Sequence, residues 1–86
     1  MANRDNSEFS YEIIEHIAVL SASKVGWSKE LNLVSWNGAN AKYDIREWDE
    51  KHERMSRGVT FSEEEAISLR DALDERLKQI NKKLMK

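Results

Sequence analysis

The sequence predicts a four-stranded curved antiparallel sheet followed by one long C-terminal helix, ββββα, in the α+β class. Three observations predict it. Segments mixing β-branched and aromatic residues, separated by turn signals, fill the first two thirds of the chain. Between two of them stands Asn37-Gly38, a strong hairpin signal because both residues tolerate positive φ. After Phe61 the apolar residues recur at spacings of three and four, the period of a helix.

Residues 1–9 are largely polar, show no periodicity and read as a disordered tail. Residues 10–20 lie in FSYEIIEHIAVLS, where Ile13, Ile17 and Val19 fall at even spacing and β-branched residues favour a strand over a helix. SASKVG is a turn, and residues 27–36 form the second strand. Trp27, Lys29, Leu31, Leu33 and Ser35 share one of its faces, Ser28, Glu30, Asn32, Val34 and Trp36 the other. Neither face is uniformly apolar, which implies a twist or bulge.

The third strand, residues 41–48, alternates cleanly. Tyr43 and Ile45 point to a face read as core, while Lys42, Asp44, Arg46 and Trp48 point to a face read as solvated or functional. Residues 49–56 make a charged loop, and in residues 57–61 Val59 and Phe61 share a face of a short fourth strand.

A helix over residues 62–84 begins at a capping box, in which Ser62 and Glu65 satisfy each other's backbone N–H. Glu63, Glu64 and Glu65 suit the positive end of its dipole, and Lys78, Lys82, Lys83 and Lys86 the negative end. Ala66, Leu69, Leu73, Leu77, Ile80 and Leu84 build one apolar stripe. A helix of this length reaches about 34 Å, whereas the strands reach about 20 Å. The overhanging Leu73, Leu77, Ile80 and Leu84 therefore predict a twofold homodimer, because a stripe past the sheet edge is otherwise exposed.

With 86 residues, 40% hydrophobic and 35% charged, the chain has room for one domain near the lower size limit, where an oligomer interface adds stability. The absence of cysteine excludes disulfides and thiolate metal sites and agrees with a reducing, cytoplasmic setting. There is no apolar run of membrane-spanning length, and the N-terminus does not have the pattern of a signal peptide.

Lys24, Trp27, Lys29, Trp36, Lys42, Arg46, Trp48 and Arg57 bring three tryptophans and five cations into the sheet segments. Cations neutralise phosphate and aromatic rings stack on unpaired bases, so this combination points to single-stranded nucleic acid, DNA first with RNA left open. Core aromatics with solvated cations are the plainer explanation. Against it stands Trp48, which alternates onto the charged face. A net charge of −2 is compatible with such binding if the acids lie away from the face of Lys42, Arg46 and Trp48. Asp44, two residues from Arg46, is placed to orient its guanidinium.

Enzyme chemistry is not expected. His16, His52, Asp44 and the Glu-rich helix start form no catalytic spacing, His52-Glu53 has no second His at helical spacing, and the three glycines form no phosphate loop. No cofactor, metal or small-molecule substrate is implied. The competing function is a protein-interaction module that binds through the helix or a strand edge.

YDIREW at 43–48, then RGVTFSEEE at 57–65 leading into the helix, resembles the C-terminal DNA-binding domain of the family of the transcriptional coactivator positive cofactor four. GWSKELNLVSWNGANAKYDIREW is similar to the second and third strands of its bacterial YdbC-like members, so the resemblance covers roughly residues 10–75. The resemblance implies a ββββα protomer that dimerises through the helix and sheet edge, with grooves for single-stranded DNA. Position by position it assigns Arg46 to the basic residue of the I-R-E segment, Trp36 to the aromatic before the hairpin glycine, Arg57 to the cation before the fourth-strand glycine, and Trp48 to the aromatic pair. It implies a role in supporting transcription or DNA replication and repair. The 49–56 loop departs from the eukaryotic members in being shorter and more acidic.

Overall fold

The computed structural model describes residues 9–23 and 25–84, the last four by backbone alone. Four strands, β1 (Tyr11–Ala22), β2 (Ser28–Trp36), β3 (Lys42–Trp48) and β4 (Val59–Phe61), precede one helix, α1 (Glu63–Leu84). The sheet is antiparallel in the order β1-β2-β3-β4. This is the expected ββββα fold, with boundaries within two residues of the expected ones. Residues 1–8 of the expected tail lie outside the described residues, as does Lys24; Phe9 is described, and the side chain of Leu84 is not.

Local chemistry explains each junction. Asn37 (φ 53°) and Gly38 (φ 77°) turn the β2–β3 hairpin, closed by the Ala39 N–H donating to the Trp36 carbonyl at 2.9 Å. The capping box forms as the sequence predicts. The Ser62 N–H donates to Glu65 Oε1 at 2.9 Å, and the Glu65 N–H to Ser62 Oγ at 3.1 Å.

The sheet curls far more than an even alternation implies. Ser28 pairs with Trp48 and Trp36 pairs with Tyr11, so these two pairs stand eight residues, about 26 Å, apart along an extended β2. Yet the Tyr11 and Trp48 rings are 5.3 Å apart. Three register shifts in β1, at Ile13/Glu15, His16/Ala18 and Val19/Ser21, supply the bend, because each bulge adds a residue to the outer strand. They also break the even spacing read from Ile13, Ile17 and Val19. Ile13 and Val19 stay opposite Val34 and Glu30, while Ile17 falls at a bulge and is exposed.

The curl decides where the core sits and corrects the reading of β3. The residues sealed from solvent, Val34, Trp48, Asn32, Asp44 and Glu30, all belong to the concave face. That is the face of Lys42, Asp44, Arg46 and Trp48, read from sequence as solvated. The Tyr43 and Ile45 face is only half-buried, and α1 lies over it. Between helix and sheet remains a groove of about 630 Å³, lined by Leu31, Tyr43, Ile45, Phe61, Leu73 and Leu77 among others. Among the described residues no helix is long and apolar enough to cross a membrane.

Candidate nucleic-acid interface

Two charged clusters are built into the concave face. At its centre the Glu30 carboxylate accepts from Ser28 Oγ, from Asn32 Nδ2 at 3.2 Å and from His52 Nε2 at 2.9 and 3.1 Å. His16 Nδ1 donates to Asn32 Oδ1 at 2.8 Å. Burial pushes the Glu30 carboxyl up, but the hydrogen bonds from Ser28, His52 and Asn32 and the charge of His52 outweigh it, so its pKa lies below the ordinary value. His52 is held at φ 59° in the 49–56 loop, where its carbonyl accepts from the Tyr11 hydroxyl at 2.5 Å. Asp49 shapes the same loop by accepting the N–H groups of Arg54 and Glu53, and these bonds lower its pKa.

The second cluster centres on Asp44, which is fully buried and receives Arg46 Nε and Nη2, both at 2.7 Å, and Thr60 Oγ1 at 2.9 Å. Such a bidentate fork fixes the plane of the guanidinium. Arg46 lies over the Trp36 ring, 4.5 Å from its centroid, and its Nη1 reaches Met55 Sδ and the Ser56 carbonyl, each at 3.4 Å. Gly58 makes room for it, because an added Cβ would collide with Arg46 Cβ and the Ile45 carbonyl.

The residues singled out from sequence are distributed unevenly. Trp36 and Lys42 stand at the hairpin end of the concave face, Lys42 opposite Val34. Arg46, paired with Glu30 further along β3, brings its guanidinium to the Trp36 ring across the curl, and Arg57 is exposed next to the Gly58 that underlies Arg46. Trp27 and Lys29 lie at the opposite end of β2. There Trp27 lines a cleft of about 280 Å³ with Glu30, Asp49, Glu50 and His52, and carboxylates oppose phosphate. Trp48 is fully buried, so its alternation onto a charged face reflects a core role and offers no open stacking surface. Glu30 corrects a further expectation, since this acid lies, buried and paired, on the face of Lys42, Arg46 and Trp48 that was expected to be free of acids other than Asp44, which is buried there and holds Arg46 as expected.

Sequence reasoning missed Phe9 and Tyr11 at this end. Their rings stand 6.0 and 5.9 Å from that of Trp36. The available signal was the Phe9-Ser10-Tyr11 alternation entering β1, weakened by placing Phe9 in the tail.

The site is thus a ββββα domain carrying an aromatic cluster edged by cations. A family model described as Transcriptional Coactivator p15 (PC4) matches residues 23–72. A relative from Treponema pallidum (strain Nichols), named only "Uncharacterized protein", is 45% identical over 69 residues, 80% of this chain and 81% of the relative. The chain belongs to the Transcriptional Coactivator p15 (PC4) family. That family is non-enzymatic and is known for binding single-stranded DNA.

Proposed function

We propose that the protein is a YdbC-like bacterial member of this family and binds single-stranded DNA, with little sequence preference, at the hairpin end of the concave face. The observation that carries this reading is the Arg46 guanidinium fixed by Asp44 against Trp36, with the exposed cations Lys42 and Arg57 nearby. Arg46 is largely engaged within the fold, so it acts by orienting Trp36. Phosphate neutralisation falls to Lys42 and Arg57, and stacking to the aromatic cluster. The buried Trp36 Nε1 has no partner among the described residues and is turned away from an incoming base. Stacking without hydrogen-bond readout supports tolerance of base identity.

The binding unit proposed is a homodimer of the 10–86 domain, working in the cytoplasm in transcription or DNA replication and repair. Leu73 and Leu77, exposed beside the apolar groove, support pairing through the helix, and in the sequence Ile80 and Leu84 continue their stripe at helical spacing.

The test is a titration of labelled oligothymidine of ~20 nucleotides against duplex of equal length, at low salt. Preference for the single strand, reduced at least fivefold by Trp36→Ala, is the expected result. Equal binding of both forms would defeat the reading. Lys42→Ala and Arg57→Ala should each lower the slope of log affinity against log salt by about 0.7.

A further inference from the structure

We infer that Phe9 is a base-stacking residue that extends the site past the edge of the sheet, taking an unpaired nucleobase against its ring. This rests on the single-strand reading above and deepens it. The family match begins at residue 23, so Phe9 lies outside the matched segment.

Backbone geometry holds Phe9 in place. The Asn37 N–H donates to the Ser10 carbonyl at 2.8 Å, and the Ser10 N–H donates to Asn37 Oδ1 at 2.8 Å. This reciprocal pair fastens the residue after Phe9 to the hairpin corner, where the left-handed conformation of Asn37 presents both groups. Phe9 consequently stands beside Trp36 (centroids 6.0 Å, planes 34° apart) and beside Tyr11 (6.3 Å, 49°).

Of the rings in this cluster Phe9 is the most open, at 55% exposure. Trp36 is half-buried and already carries the Arg46 guanidinium, and Tyr11 is half-buried and engaged through its hydroxyl with the His52 carbonyl. A base approaching the hairpin end therefore meets Phe9 with more free ring surface than either neighbour offers. A phenylalanine held there serves an unpaired base, since every base presents a π-face and no polar edge is needed to hold it.

Oligothymidine affinity is measured for the full chain, Phe9→Ala, Phe9→Trp and Trp36→Ala across a salt series, with far-UV circular dichroism as the check on folding. Phe9 precedes β1 and is largely exposed, so Phe9→Ala keeps the native spectrum. The expected loss on Phe9→Ala is on the order of 5- to 100-fold. The salt slope stays unchanged because no charge is removed, and Phe9→Trp restores affinity with its emission quenched on binding. If Phe9→Ala binds like the parent while Trp36→Ala is weakened, the Phe9 assignment is overturned and the single-strand reading stands. If neither variant loses affinity, the hairpin end is not the site and both fall. A changed salt slope in Phe9→Ala also overturns the assignment, because stacking alone does not alter it.

Discussion

On the concave face Glu30, Asn32 and Asp44 are sealed at 3% exposure or less, while on the helix side Leu69, Leu73 and Leu77 stand 42 to 52% exposed. Residue type alone would assign these the other way round. The concave face is closed by the chain itself, through a bulged β1 and the 49–56 loop, so its polar groups must find partners inside and do: Ser28, His52 and Asn32 for Glu30, Arg46 and Thr60 for Asp44. The helix side has only one apolar surface lying loosely over another. What separates the two is closure: a curled sheet shields even carboxylates, and a helix longer than its sheet leaves leucines open, the surface that the second body of the proposed dimer would cover.

The largest expected effect comes from removing the ring that fills the concave face. Trp48→Ala should destabilise the fold by about 3–5 kcal/mol in urea unfolding. A folded variant of parental stability would show Trp48 to be a surface residue and collapse the contrast between the faces.

A smaller effect on folding, but a decisive one on assembly, is expected at the helix. Leu77→Glu should halve the mass measured by light scattering while lowering protomer stability by less than about 1 kcal/mol, because the side chain is already half exposed. A parent that is monomeric at micromolar concentration would remove the second body from the explanation.

The smallest effect sharpens the account of Glu30. Its pKa is lowered in the fold, so the stability it contributes is present above its unfolded value of about 4.3 and is lost as pH falls through its folded value. Unfolding free energy measured downward from pH 6 should show this loss in the parent and a shallower one in Glu30→Gln. Identical acid limbs in the two proteins would show that Glu30 gains nothing from its hydrogen bonds.

The candidate site was partly legible in the sequence. Arg46, Trp36, Lys42 and the orienting role of Asp44 follow from β3 alternation and the hairpin, because period-two geometry puts Lys42, Asp44 and Arg46 on one face wherever the strand goes. Trp48 belongs to the same alternation, yet it is buried because Tyr11, Met55 and His52 arrive from elsewhere in the chain. Phe9 was missed because long-range pairing brings it to Trp36: the Tyr11–Trp36 register of β1 and β2 and the Ser10–Asn37 pair, across 27 residues.

What the sequence by itself determined was local: strand and helix periods, the Asn37-Gly38 turn, the Ser62–Glu65 cap, and which side chains share a face. These depend on φ/ψ preference and near-neighbour hydrogen bonds, which a short segment carries with it. The tertiary structure alone decided which face became the interior. That choice depends on curvature accumulated over three bulges in β1 and on a loop folding back across the sheet. Long-range closure, more than residue polarity, made a core of the charged face and left the leucines open.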